Sequence, residues 1–311
     1  MFAYLIRRLL TFIPTLLIIT FFTFAVGFYG PGDPIRVLMR EQWNDEETYQ
    51  MLRRKYGFDR PFLVQYTDYI AKSLQGDFGR SVLRKLPVRD LMLPALLVTA
   101  QLGLATLVCL SICGVGLGIL AAYRQNTWLD YLVVSGSIFL QSIPPFVLAP
   151  VAMIVLVLDL RLMNTPSGWD GLFSPKVILP IALLTLLGMS GIIRQTREAV
   201  ISVRNSDYVR TARAKGLRER TVMFRHVLRN ALTPVFTTLG LLTGWLLTGS
   251  IFIETIFSIP GFGSLFYSAL KTRDYPVLLG TTLVGSFIIL MVNLLVDLSY
   301  GLLDPRVRVN R

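Results

Sequence analysis

The segment "SDYVRTARAKGLRERTVMFRHVLRN", residues 206–230, is basic and rich in helix formers, yet the stretches that flank it are among the most apolar of the chain. Val177–Ile193 precedes it without a charge, and Ala231–Ile253 follows it with none. A soluble-looking helical elbow between two such runs reads as a loop joining membrane spans. Four more uncharged runs occur, at Leu9–Tyr29, Leu91–Tyr123, Tyr131–Leu158 and Tyr275–Val296. Each of the six reaches or approaches the roughly 20 residues a helix needs to cross about 30 Å of hydrocarbon. The expectation is an all-α polytopic membrane protein with six transmembrane helices, the fourth having the least certain ends.

Composition agrees. A chain of 311 residues with 53% hydrophobic and 16% charged residues and a mean hydropathy of +0.58 has too little polar surface to cover a soluble globule. Arg7 and Arg8 precede an apolar stretch, as in a secretory signal, but the stretch is too long for an h-region and no small-residue cleavage site follows, so a retained first helix is expected. Cys109 and Cys113 lie one helical turn apart within the second run, where disulfide geometry is hard to meet, and are expected as small packing residues.

The net charge of +12 is concentrated in three places. Residues 194–230 hold ten Lys/Arg against Glu198, Asp207 and Glu219; Arg7 and Arg8 mark the N-terminus; Arg306, Arg308 and Arg311 mark the C-terminus. The positive-inside rule then puts both termini and the elbow in the cytoplasm, and residues 30–90 outside. The charge reports orientation, and a nucleic-acid partner is not needed to explain it. The expected organisation is 1–29 as N-terminus and first span, 30–90 as an external insertion folded on the outer surface, and 91–311 as a membrane core containing the cytoplasmic loop 194–230. In the insertion, "NDEETYQMLRRKYG" predicts a short helix from an Asn44 N-cap to a stop at Gly57.

Within the spans, Gly114, Gly118 and Ala122, and then Gly240 and Gly244, recur at one-turn spacing and predict close helix packing. Pro144 and Pro145 in "QSIPPFVLAP" remove backbone donors and predict a kink that either faces a wet cavity or serves packing. Glu254 ends the fifth run, and "SIPGFG" after it predicts a turn over the bundle mouth; the carboxylate is either simply solvated or part of an outer gate. Asp297, Tyr300 and Asp304 share a helix face near Arg306, which predicts a structural pair with the basic rim rather than a proton relay. His226 is the only histidine, so no metal constellation is expected, and neither a phosphate-binding GxxxxGK[ST] loop nor a nucleophile–base pair is present.

In the elbow, Ser206 predicts an N-cap, and Ala212 and Gly216, four apart, predict a small-residue notch bordered by Arg213 and Lys215. Val222, Phe224, Val227 and Leu228 among arginines predict a second, amphipathic stretch. Spacing alone leaves open whether it lies on anionic lipid or the elbow receives another protein.

"DYVRTARAKGL" followed by "FRHVLRNALTPV" resembles the cytoplasmic loop of ABC importer permeases, specifically the dipeptide/oligopeptide/nickel group. "YGFDRPFLVQYTDYI…LQGDFGRS", "SIPPF", "ETIFSIPGFGSLFYSAL…RDYP" and "DLSYGLLDPRVR" resemble the same group in order along nearly the whole chain. The resemblance implies a type I importer (MetI-like) fold, paired with a homologous permease, two ATPase subunits that bind ATP and Mg, and an external binding protein, in a bacterial or archaeal inner membrane. It implies no catalytic role for this chain. It also implies that Asp207, Tyr208, Arg210, Ala212, Arg213, Lys215, Gly216 and Leu217 form the docking element for the ATPase, and that Pro144, Pro145, Glu254, Phe257, Pro260 and Gly261 are candidates for the pathway or its gate. The general importer pattern begins Glu-Ala-Ala where this chain has Arg210, Thr211 and Ala212, so no role of a leading glutamate carries over. The cargo expected is a di- or oligopeptide, with nickel complexes, glutathione or oligosaccharides as the alternatives.

Overall fold

A computed structural model describes residues 2–29, 46–55 and 59–303; Asn44, Gly57, Asp304 and Arg306 lie outside them. The described chain is helical: α1 (Phe2–Tyr29), α2 (Glu46–Lys55), α3 (Phe62–Leu74), α4 (Val88–Tyr123), α5 (Trp128–Ser142), α6 (Pro145–Met153), α7 (Ile178–Arg204), α8 (Asp207–Ala214), α9 (Leu228–Thr248), α10 (Ile251–Ile256), α11 (Phe262–Thr272) and α12 (Tyr275–Leu303). Among the described residues, five helices are long and apolar enough to cross a membrane, and a bent pair formed by Trp128–Ser142 and Pro145–Asp159 makes a sixth span if counted as one. This is an all-α multi-pass membrane protein with a large insertion between its first two spans.

The third span is broken rather than merely kinked, its halves meeting at 100°. The cause is local. Ile143 is extended and Pro144 has polyproline dihedrals, a conformation favoured before a second proline, while Pro145 starts α6 at a position where its missing N–H costs nothing. Pro150 then removes a donor inside α6, and the helix widens into π turns over Ile154–Asp159. The fourth span also departs from expectation. The helix does not stop near Ile193 but runs to Arg204, because Arg194, Arg197, Glu198 and Arg204 favour helix once the chain has left hydrocarbon. The loop between the fourth and fifth spans therefore begins as a helical extension of the fourth.

The chain divides into two compact units. The first comprises residues 1–99 and 260–291. Here α3, from the expected insertion, packs against the first span. It packs on the C-terminal half of α1, with Phe21, Phe24, Phe28 and Tyr29 edge-on or tilted against Phe62 at 5.3–5.5 Å, and the Tyr66 hydroxyl donates to the Leu17 carbonyl at 2.9 Å. A second knot joins the 81–84 turn to the turn before α12. The buried Asp274 carboxylate accepts from the Ser81 hydroxyl and from the Val82 N–H, and Val88, Met92, Phe262, Leu265 and Val277 pack beneath.

The second unit comprises residues 100–259 and 292–311. Its spans approach as the glycine spacing predicts. A Cβ at Gly118 would meet Thr196 at 2.6 Å and the Ile193 carbonyl at 2.8 Å, one at Gly114 would meet Ile192 at 3.0 Å, and one at Gly240 would meet Val296 at 2.6 Å. Leu110, Met189, Ile192, Ile193, Val235 and Leu239 fill the space between α4, α7 and α9. Cys109 and Cys113 are free thiols, the first half-buried and the second exposed.

Candidate functional site

The elbow is built on the ends of the spans that enter and leave it. α7 ends at Arg204, which lies over the Tyr123 ring at 5.8 Å, and the chain turns through Asn205 and Ser206 into α8. Ser206 occupies the N-cap with an extended backbone, as predicted. Its hydroxyl nevertheless donates back to the Val203 carbonyl at 2.6 Å instead of accepting from the first turn. Val209 and Ala212 face inward and join Ala122, Val200, Val222, Met223, Val227, Leu228 and Ala231 in one apolar cluster.

That cluster alters two expectations. Ala212 is 6% exposed and belongs to the core, and Gly216 does not share a helix face with it, because α8 ends at Ala214. Gly216 instead has φ +78° and donates to the Arg213 carbonyl at 2.9 Å, a left-handed stop that a glycine makes without strain. No small-residue notch forms. Likewise Val222, Val227 and Leu228 are buried against the elbow's own core and are not laid on lipid; only Phe224 of the four is exposed.

Polar contacts fix the outer side. Arg213 grips Glu219 with two bonds of 3.1 and 2.9 Å, which closes the turn around Gly216, and this bond holds the guanidinium above its ordinary pKa. Asn230 donates to the Tyr208 hydroxyl at 2.9 Å and to the His226 carbonyl at 3.2 Å, pinning α8 to the start of α9. Asp207 and Arg210 make only a loose exposed contact of 3.7 Å. What remains outward is a rim of Tyr208, Arg210, Lys215, Leu217, Phe224 and Arg225. α8 is thus packed from below and stopped by Gly216, and its free side is left apolar and basic.

Of the candidate gate residues, Glu254 and Phe257 follow the end of the fifth span. α9 stops at Gly249, with φ +89°, and α10 turns away through Ser250. Glu254 corrects the solvated reading: it is fully buried, as are Ile253 and, nearly so, Phe257 and Ile259. The Phe257 carbonyl accepts from the Gly168 N–H at 2.9 Å, and Phe146, beside the proline break, packs on Phe252 at 5.5 Å between centroids. Pro144 and Pro145 are thus brought to the same neighbourhood as α10. Pro260 is exposed, and Gly261 caps α11 from a buried position. Asp297 lies on α12, among residues that make polar contacts, while its expected partners Asp304 and Arg306 lie outside the described residues. Among the described residues no group of three His, Cys, Asp or Glu could hold a metal ion.

Sequence reasoning missed Asp130. It sits at the start of α5, 2% exposed, and accepts from Arg197 Nε at 2.6 Å and Nη2 at 2.7 Å. The Asn126 N–H, in a left-handed turn at φ +62°, completes its shell at 2.9 Å. Nothing local flags it, since Asp130 stands in the charged fringe of a span and its partner is 67 residues away.

This bundle, with its insertion after the first span and its basic elbow before the fifth, is that of a solute permease. The chain belongs to the family described as binding-protein-dependent transport system inner membrane component, matched over residues 114–309, and residues 1–84 match the N-terminal component of the same systems. Within it, the chain is a permease subunit of the dipeptide/oligopeptide/nickel ABC importer group and is not itself an enzyme. It is 38% identical over 310 residues to the dipeptide transport system permease protein DppB of Bacillus subtilis (strain 168), covering 99% of this chain and 98% of that one. It is 37% identical to DppB of Escherichia coli (strain K12), with 99% of both chains covered. To the glutathione transport system permease protein GsiC of Salmonella typhimurium it is 36% identical, again over 99% of both.

Proposed function

We propose that this permease forms half of the translocation pathway of an ATP-driven importer for di- or oligopeptides. A homologous permease supplies the other half, an external binding protein delivers cargo, and two ATPase subunits hydrolyse ATP on the cytoplasmic side. The relatives are named for dipeptides, an oligopeptide or glutathione, all of them peptides, and this favours a peptide over a nickel complex or an oligosaccharide. Both termini and the elbow lie in the cytoplasm of a bacterial or archaeal inner membrane, as the basic residues of 194–230 favour. Residues 30–90 form the outer insertion and 91–311 the core.

One observation supports coupling through the elbow: α8 is fixed to its own core by Val209 and Ala212 while Arg210, Lys215 and Leu217 stay exposed around it. A partner that grips this rim moves α7 and α9 with it, because the elbow and the spans share one core. Glu254, Phe257, Pro260 and Gly261, with Pro144 and Pro145, are assigned to the gate.

The test is the double variant Arg210→Glu, Leu217→Glu, which alters the rim without touching the core. Membrane insertion is expected to be unchanged, while peptide uptake and cargo-stimulated ATP hydrolysis fall by about tenfold or more, as for residues central to an interface. Normal uptake by this variant would sink the docking assignment.

A further inference from the structure

Asp130 and Arg197 form the most deeply buried ion pair among the described residues, with side chains 3% and 25% exposed, against 34% or more for every side chain in the others. A second polar rung follows at Ser137 and Ser190, whose hydroxyls meet at 3.5 Å. From the first rung to the second, α5 advances by seven residues and α7 retreats by seven. Two helices that meet at i+7 against j−7 run antiparallel with one seam, as in an antiparallel coiled coil. One further heptad along α5 is Pro144, where the third span breaks.

The burial of this pair is not economical for stability alone. Desolvating both charges offsets much of their attraction, and an apolar pair of similar volume is often as stable or more so. What a two-point fork adds is register, because Nε and Nη2 can meet both carboxylate oxygens in only one axial position of α5 on α7. Arg197 stands seven residues before the end of the helix that leads into α8, and Asp130 stands at the other end of α5 from the 100° break. Beyond the break, Phe146 on α6 touches Phe252 on α10, beside the buried Glu254.

We infer that the Asp130–Arg197 fork is a positioning lock that forbids α5 to slide on α7, so that a displacement imposed at the elbow reaches the proline break and α10 instead of being absorbed between the two helices. The lock acts through helices and touches no cargo. It rests on the docking reading above, since an elbow that nothing grips has no displacement to pass on.

The test uses the assembled importer in nanodiscs, with Cys109 and Cys113 replaced by serine, an environment-sensitive fluorophore on Val151→Cys of α6, and, in a separate sample, a crosslinker on Leu217→Cys. In the parent, the ATPase crosslinks to position 217, and ATP with vanadate shifts the emission at 151. Two variants remove the lock in different ways: Asp130→Asn keeps the shape and loses the charge, and Asp130→Leu with Arg197→Met replaces the pair by apolar packing that holds the fold. In both, the crosslink is expected to persist while the emission shift shrinks by about threefold or more, a coupling loss typical of residues in direct contact. Arg197→Lys, which keeps the charge but not the fork, is expected to shrink it too; a purely stabilising salt bridge would be restored by lysine. A full emission shift in the double variant, with the crosslink retained, overturns the lock alone. Absence of the crosslink in the parent overturns the docking reading and the lock with it.

Discussion

The seam between α5 and α7 and the turn between α8 and α9 are each closed by an arginine that holds a carboxylate with two hydrogen bonds. Asp130–Arg197 and Arg213–Glu219 have nearly the same geometry, 2.6 and 2.7 Å against 3.1 and 2.9 Å. Their surroundings differ. The carboxylate of the first is 3% exposed and that of the second 42%. The comparison teaches that the worth of an ion pair is set by what happens when one partner leaves. At the turn, water replaces the lost partner and salt screens the charge; at the seam, a buried group is stranded.

Three substitutions sharpen that contrast. Asp130→Ala leaves the partly exposed Arg197 guanidinium without its carboxylate and should cost about 2 kcal/mol, read as a fall in the midpoint of thermal unfolding of the detergent-solubilised protein. A loss within error of the wild type would place the seam in the same class as the turn. Gly216→Ala at the turn forces a Cβ into φ +78°, although nothing lies within 4 Å of it, so the cost is conformational and about 1 kcal/mol. The same measurement would separate it from a clash, because serine should then cost no more than alanine. Glu219→Gln should cost less than about 1 kcal/mol, and raising the salt concentration should shrink the difference further; a cost equal to that of Asp130→Ala would dissolve the distinction between the two regions.

Much of this architecture is legible in the sequence because membrane spans announce themselves by length and lack of charge. The glycine positions also read through, since close approach in lipid leaves few alternatives: Gly118 does meet Thr196, and Gly240 does meet Val296. The proline pair correctly marked a discontinuity, though the size of the bend depends on how α6 finds its neighbours. Less legible were features decided by tertiary contact. Whether Ala212 lines a notch or fills a core depends on which face of an eight-residue helix meets Val222 and Val227, and on Gly216 ending that helix early. For Glu254 the sequence left solvation and a gate both open, because an acidic residue at the end of a span has water nearby; the structure buries it fully, with the Ile259 N–H donating to its backbone carbonyl. Asp130 was invisible for a simpler reason: its meaning lies in an arginine far along the chain.

The aromatic stack of α3 on α1 bears on how the polypeptide reaches its final state. Only 6% of the first span is buried within the chain, and its C-terminal half is clad by rings from Phe62 and Tyr66 that are synthesised some forty residues later. The first span therefore reaches its final packing only once α3 is in place, and its phenylalanines depend for partners on a segment that follows them in the chain.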